Sequence, residues 1–261
     1  MITKRQQRGF ILAIRAGEIM MKSGGEIYRV EEIITRICRA CDIAHVEVFA
    51  TPTGIFASIG SGGEEGDIKT YIKAIKARTT DLTKISEINN LSRKFVSGDM
   101  DVEDAIKKAE AIDAKKPYPL PVISIGAALT ASIFCGLFGG GVTDCIAAAI
   151  LGIMAYLLSF LLAKYGINYF ITDFVCVALA SFLALVSEAF RITTGHDFII
   201  IGVLMLFVPG AALTNALRDF LTGDMLSGVS RLTEAVAIAV SLAAGAGIIL
   251  TLWNSIGGVF S

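Results

Sequence analysis

Histidine and tryptophan are scarce in this sequence, and the sequence also lacks the common catalytic and metal-binding motifs. The 261 residues include 2 histidines and 1 tryptophan. No GK[ST] motif occurs, which argues against a Walker A loop and ATP-driven work. Ser/His/Asp or Cys/His constellations cannot be assembled with any specificity. The sequence therefore predicts no catalytic residue, no bound metal and no cofactor.

Cysteines are also too few and too scattered for a disulfide framework. They are Cys38, Cys41, Cys135, Cys145 and Cys176. The last three fall in apolar segments, where cysteine usually acts as a small hydrophobe. The single CxxC pair, with His45 just beyond it, is weak evidence for metal or redox chemistry, and we interpret it as structural.

Charged residues are sparse in the second half of the chain. Residues 1–116 hold 19 Lys+Arg and 17 Asp+Glu, which leaves 4 of the 23 basic and 7 of the 24 acidic residues for residues 117–261. With a mean hydropathy of +0.67, this division predicts a charged soluble domain joined to a membrane domain. No block of basic residues suggests a nucleic-acid partner.

The N-terminal apolar stretch is short and is interrupted by charged residues, so we expect no signal peptide.

Residues 1–116 predict a small α+β domain. Two helical patterns meet near Ser23, and Ser23-x-x-Glu26 is a capping-box pattern that predicts the start of the second helix. Alternating apolar residues then predict a three-stranded antiparallel meander. The expected strands are 45–49, 55–59 and about 68–77. The glycine-rich loop 60–66 is interpreted as a hairpin turn, because its acidic residues would repel phosphate. Two further helices follow, the second starting near Asp101.

Residues 117–261 predict an all-α membrane domain of five transmembrane helices, reached through a proline-rich hinge. The predicted spans are about 120–140, 145–163, 169–187, 198–217 and 235–257. Each is near the ~20 residues that a helix needs to cross a bilayer.

The basic residues predict the orientation of these spans. With the N-terminal domain in the cytoplasm, the inner side receives Lys115, Lys116, Lys164, Arg218 and Arg231. The outer side then receives only Arg191. The positive-inside rule therefore predicts a multi-pass membrane protein with a cytoplasmic N-terminal domain and a C-terminus outside.

The fourth predicted span contains residues that an ordinary transmembrane helix avoids. Pro209 lacks an amide hydrogen and its ring clashes with the preceding turn, so the helix must kink or unwind. Asn215 and Asp219 follow on one helical face, with Arg218 beside them. Interrupted spans with neighbouring polar residues are typical of transporter substrate sites. A packing kink with interfacial charges would give the same pattern.

Acidic residues of the membrane domain are candidates for ion coupling. Asp173 lies near the inner edge of the third span, where a protonatable carboxylate could carry a coupling proton. Glu188 and Arg191 are three residues apart at its outer end, and this spacing predicts a helix-end ion pair. The ion-coupling candidates are therefore Asp173, Glu188 and Asp219.

Three segments of the chain, taken together, resemble the threonine/serine exporter family. They are SGGEIYRVEEII (23–34), VEVFATPTGIFASI (46–59) and VPGAALTNALRDFLTGDMLSGVSRL (208–232). They occur in the family's order, and the similarity covers nearly the whole chain and is closest to the short, split, YjjP-like form. The resemblance implies export of small polar metabolites and, for the split form, a second, smaller membrane subunit.

The resemblance also implies roles for individual residues. The family's interrupted helix matches Pro209, Gly210, Asn215 and Asp219, and the glycine and arginine after it match Gly228 and Arg231. The expected substrate-binding set is Pro209, Gly210, Thr214, Asn215, Arg218 and Asp219. We expect a secondary exporter subunit for threonine/serine or a C4 dicarboxylate such as succinate, working with a second subunit or as a homo-oligomer. The alternatives are a membrane-anchored enzyme and a non-transporting scaffold or sensor.

Overall fold

A computed structural model describes residues 2–60, 68–75 and 79–260 of the chain, with side chains described up to residue 255. This part of the chain is mostly helical and contains a three-stranded antiparallel sheet. Its contacts divide it into two compact units. The N-terminal unit comprises residues 1–116 and 214–231, and the apolar unit comprises residues 117–213 and 232–261.

The described part of the first 116 residues forms four helices and three strands. The helices are α1 (Lys4–Lys22), α2 (Ile27–Ala40), α3 (Leu82–Val96) and α4 (Val102–Asp113). The strands are β1 (His45–Thr51), β2 (Gly54–Gly60) and β3 (Ile68–Ala74). The predicted meander is confirmed, since β2 pairs antiparallel with both of its neighbours. The predicted turn at 60–66 lies almost wholly outside the described residues.

One face of the sheet contributes to the core of the N-terminal unit. Ile55, Ala57 and Ile59 alternate along β2 and are buried, together with the apolar faces of α1 and α2. Cys38 and Cys41 belong to this core, and burial raises the pKa of the Cys38 thiol to about 12. A thiol with so high a pKa is protonated at neutral pH, so the pair packs as two small apolar side chains.

The capping box predicted at Ser23 and Glu26 is wrong. Helix α1 continues to Lys22, and Ser23 is its C-cap, with its amide donating to Ile19 O. Glu26 is the N-cap of α2, but its side chain makes no capping hydrogen bond. The turn between the helices uses Gly24 at φ +83°, a conformation that favours glycine. The carboxylate of Glu26 instead forms an ion pair with Arg218.

The described residues after position 116 form helices joined by short connections. The helices are α5 (Leu120–Leu137), α6 (Val142–Lys164), α7 (Tyr169–Ala189), α8 (His196–Leu204), α9 (Gly210–Leu221) and α10 (Met225–Phe260). Among the described residues, four stretches are long and apolar enough to cross a membrane, namely α5, α6, α7 and residues 225–255 of α10. The segment predicted as a single span at 198–217 is instead divided between α8 and α9. Its interruption at Pro209 is the physical reason for this difference.

Small residues allow close helix packing in the apolar unit. A Cβ added at Gly202 of α8 would overlap the carbonyl oxygen of Ala131 and lie 3.0 Å from the Cβ of Cys135, both in α5. A Cβ at Gly152 of α6 would lie 2.8 Å from the Cβ of Ala131. Ala131 is therefore the point where α6 and α8 both approach α5, as glycine and alanine permit in membrane helices.

We expect Gly202→Ala to destabilise the apolar unit by about 1–3 kcal/mol, the usual cost of forcing an extra methyl group into a packed site. Gly126→Ala in α5 is the matched control, because nothing lies within 4 Å of a Cβ placed there. Thermal unfolding of the purified protein in one detergent would compare the two variants. Equal melting temperatures would contradict the close α5–α8 approach.

Candidate functional site

The interruption between α8 and α9 begins as a tightened last turn of α8. The amide of Leu206 donates to Val203 O at 3.1 Å and the amide of Phe207 to Leu204 O at 2.9 Å, which are i to i+3 bonds. Pro209 has no amide hydrogen and cannot extend this ladder. Helix α9 begins afresh when the amide of Leu213 donates to Pro209 O at 3.0 Å. The break is therefore a defined feature of the backbone.

Residues 214–231, the α9–α10 hairpin, fold back sharply after α9. Gly223 adopts φ +88°, and the amide of Asp224 donates to Asp219 O at 2.9 Å. The Asp224 side chain then accepts from the amide of Ser227 at 3.2 Å and so caps the start of α10. These contacts fix the two helices of the hairpin, which belongs to the N-terminal unit.

Three side chains of the hairpin bind the loop at residues 23–26. Asn215 Nδ2 donates to Gly24 O at 3.3 Å, and Arg231 Nη2 donates to Gly25 O at 2.9 Å. Arg218 forms an ion pair with the carboxylate of Glu26. Three donors separated in sequence thus meet acceptors on three successive residues of one loop.

A buried ion pair holds the hairpin together beneath these contacts. Asp219 Oδ2 lies 3.1 Å from Arg231 Nε, and their side chains are only 1% and 6% exposed. Neither carboxylate oxygen of Asp219 has a hydrogen-bond partner of good geometry among the described residues. Burial raises the pKa of Asp219, and the nearby charge of Arg231 opposes this shift. Asp219 is therefore a buried carboxyl group that can hold a proton.

The structure brings together only part of the predicted site. Asn215, Arg218 and Asp219 belong to the cluster just described, whereas Thr214 is exposed on α9. Gly210 lies at the start of α9, with nothing within 4 Å of a Cβ placed on it. Pro209 forms the break and belongs to the apolar unit.

The other acidic candidates lie at the two ends of α7. Asp173 is half-buried in its first turns and Glu188 is in its last turn, about 22 Å apart at the rise of an α-helix. Glu188 pairs with His196, so the ion pair predicted with Arg191 is wrong. Helix α7 ends at Ala189 and Arg191 adopts φ +57°, so the helical spacing does not apply to it.

The contacts of two acidic residues, Glu26 and Asp144, were not predicted from the sequence. Glu26 looked like a helix cap, and its pairing with Arg218 spans 192 residues. Asp144 is fully buried at the start of α6, where it accepts from the amides of Gly141 at 2.9 Å and Thr194 at 2.7 Å. Its position three residues after Gly141 is the signal that could have identified this cap.

The helices and the interrupted segment define a multi-helix membrane protein. A profile of the ThrE family, described as "Putative threonine/serine exporter", matches residues 11–253. The chain therefore belongs to the ThrE family of membrane transporters.

Named relatives of two lengths are similar to the chain. A "Probable threonine/serine exporter" of Mycobacterium tuberculosis is 27% identical over 90% of this chain but only 44% of its own length. The "Threonine/serine exporter" of Corynebacterium glutamicum is 23% identical, with 50% of its length covered. The "Probable succinate transporter subunit YjjP" of Klebsiella aerogenes is 24% identical over 96% of both chains. The chain thus spans about half the length of two relatives and nearly all of the third. No solved structure matches it.

Proposed function

We propose that the chain is a subunit of a secondary exporter in the cell membrane, moving a small carboxylate metabolite such as threonine, serine or succinate. The observation that carries this proposal is the break at Pro209, which leads directly into Asn215, Arg218 and Asp219. An interrupted helix next to amide, guanidinium and carboxyl groups is a common plan for transporter substrate sites.

We infer five membrane crossings from the way in which the N-terminal unit is divided along the chain. Residues 2–116 and the α9–α10 hairpin belong to one compact unit, so both lie on the same side of the membrane. The chain between residues 116 and 214 then crosses an even number of times, and α5, α6 and α7 account for three crossings. The segment containing α8 and the Pro209 break makes the fourth, and α10 makes the fifth. The positive-inside rule assigns the N-terminal unit to the cytoplasm and the C-terminus to the outside.

Helix α8 alone is too short to make the fourth membrane crossing. The 9 residues of α8 span about 13.5 Å, less than half of the ~30 Å hydrocarbon core. The remaining distance includes the interrupted backbone before and after Pro209. Such backbone is tolerated at membrane depth only where it is buried in protein or lines a water-filled cavity. In this proposal it lines a cavity through which the polar substrate passes.

The polar residues after the break have complementary roles in this proposal. Arg218 and Asn215 donate to the carboxylate and hydroxyl oxygens of the substrate. Asp219 carries the coupling proton, since it is buried and neither of its oxygens has a well-formed hydrogen bond among the described residues. Asp173 is the second coupling candidate, and Glu188 the third, although its carboxylate is engaged by His196.

A partner subunit is part of the proposal. The Klebsiella aerogenes relative, which this chain covers almost completely, is named a transporter subunit. We propose a second, smaller membrane subunit as the partner, with a homo-oligomer as the other possible assembly.

Efflux from proteoliposomes tests the function. Vesicles containing this chain, alone or with a candidate small subunit, would be loaded with labelled threonine, serine or succinate. We expect efflux of at least one substrate, only when the partner is present. Efflux from this chain alone would replace the partner with a homo-oligomer. No efflux of any substrate from correctly inserted protein would overturn the exporter function.

A further inference from the structure

We propose that Glu26 is an internal competitor of the exported substrate. Its carboxylate occupies Arg218, which would otherwise bind the carboxylate of the metabolite. This inference rests on the exporter function proposed above, and it adds a specificity-determining residue from the N-terminal domain. It also gives the 23–26 loop a role in transport.

The first support is the direction of the Glu26 side chain. Glu26 occupies the N-cap position of α2 but makes no capping hydrogen bond, so its carboxylate is available for other partners. Its side chain is only 12% exposed and is held by Arg218 and, at 3.2 Å, by Arg29 Nε. A carboxylate between two guanidinium groups reproduces the environment that a bound carboxylate ligand requires.

The second support is the chemistry of the neighbouring contacts. Asn215 and Arg231 donate to the carbonyl oxygens of Gly24 and Gly25, immediately before Glu26. The loop therefore presents two carbonyl oxygens and a carboxylate to one amide and two guanidinium groups. A hydroxy amino acid or a dicarboxylate presents oxygen acceptors of the same kind.

The third support is the fixed position of the loop backbone. The amide of Thr79 donates to Lys22 O at 2.8 Å, and the amide of Asp81 donates to Ser23 O at 3.0 Å. A Cβ at Gly25 would lie 2.7 Å from side-chain atoms of Met20, so the loop is also closely packed beneath. The Glu26 side chain can therefore move while its backbone stays in place.

Arg29 provides the second position for that movement. When a substrate carboxylate takes Arg218, Glu26 keeps its ion pair with Arg29, one helical turn away. The exchange therefore leaves no buried carboxylate without a counter-charge, which would otherwise be a large energetic cost. Arg218 remains paired in both states, first with Glu26 and then with the substrate.

Transport kinetics of Glu26→Gln test this inference in the full protein with its partner. Removing the competing charge increases the fraction of Arg218 that is available, so we expect the KM for succinate or threonine to fall about threefold to tenfold. Glu32→Gln is the matched control, because Glu32 lies on the same helix and pairs with Arg36. Its KM should equal that of the unmodified protein.

A second variant, Arg29→Gln, should act in the opposite direction. Without Arg29 the Glu26 carboxylate depends on Arg218 alone, so the KM should rise. An unchanged or raised KM in folded Glu26→Gln would overturn the competition. If Glu26→Gln does not fold, an unchanged or lowered KM in Arg29→Gln overturns it instead. Either result, obtained while the unmodified protein transports substrate, leaves the exporter function intact.

Discussion

Replacing Arg231 with glutamine should lower the free energy of unfolding by about 3–5 kcal/mol, the usual cost of removing one partner from a buried ion pair. The change leaves Asp219 buried with its nearest positive charge gone, because the two side chains are 6% and 1% exposed. Glutamine is too short to reach Gly25 O as Arg231 Nη2 does, so that hydrogen bond is lost as well, but the larger part of the expected loss comes from the charge. Thermal and denaturant unfolding of the purified protein in detergent would measure it.

The pH dependence of the free energy of unfolding distinguishes the loss of the positive charge from a loss of packing. Burial already raises the pKa of Asp219, so the folded protein holds that proton to higher pH than the unfolded chain does. The corresponding stability is present below the ordinary carboxyl pKa and is lost as pH rises through the raised value. Without Arg231 the pKa should rise further, so Arg231→Gln should recover stability on acidification. Asp219→Asn combined with Arg231→Gln should remove most of this dependence.

An exposed arginine provides the comparison for the buried one. Arg36 pairs with Glu32 on the surface of α2, and Arg36→Gln should cost about 0.3–0.5 kcal/mol, as exposed i,i+4 pairs do. Equal losses in the Arg36 and Arg231 variants would contradict the buried pair. So would an Arg231→Gln protein whose stability loss does not change between neutral and acidic pH.

The parts of the fold that depend on local sequence were predictable. The meander follows from residues that alternate within each strand and from short connections, and its three strands formed where expected. The interruption of the fourth span follows from the covalent chemistry of one residue, Pro209. In each case the residues that decide the structure lie within a few positions of one another.

The contacts of the candidate site were not predictable in this way. Asn215 and Arg231 bind carbonyl groups that lie 191 and 206 residues earlier in the chain, and sequence periodicity contains no information at that range. Local patterns also competed with tertiary contacts. The capping-box spacing at Glu26 was overridden by Arg218, and the spacing of Glu188 and Arg191 ceased to apply where α7 ends.

Replacing Pro209 with alanine should reduce transport at least tenfold while leaving the protein folded. Alanine restores an amide hydrogen that can bond to the preceding turn, and proline in a helix interior costs about 3 kcal/mol relative to alanine. Helices α8 and α9 could then join into one regular helix over residues 196–221. The backbone groups that we propose to line the substrate path would be consumed by helical hydrogen bonds. Efflux of the transported substrate from proteoliposomes would measure the loss.

The break at Pro209 is either part of a substrate path or a packing kink. A control variant and the stability of Pro209→Ala distinguish these two interpretations. Val208→Ala changes the neighbouring, partly exposed side chain but keeps the proline, so it should transport at close to the normal rate. A substrate path predicts that Pro209→Ala is at least as stable as the unmodified protein yet inactive, because function and regular helix compete for the same backbone groups. A packing kink predicts the reverse, since straightening the segment would disturb its contacts and leave no specific transport defect. Normal efflux from folded Pro209→Ala would therefore remove the break from the transport mechanism.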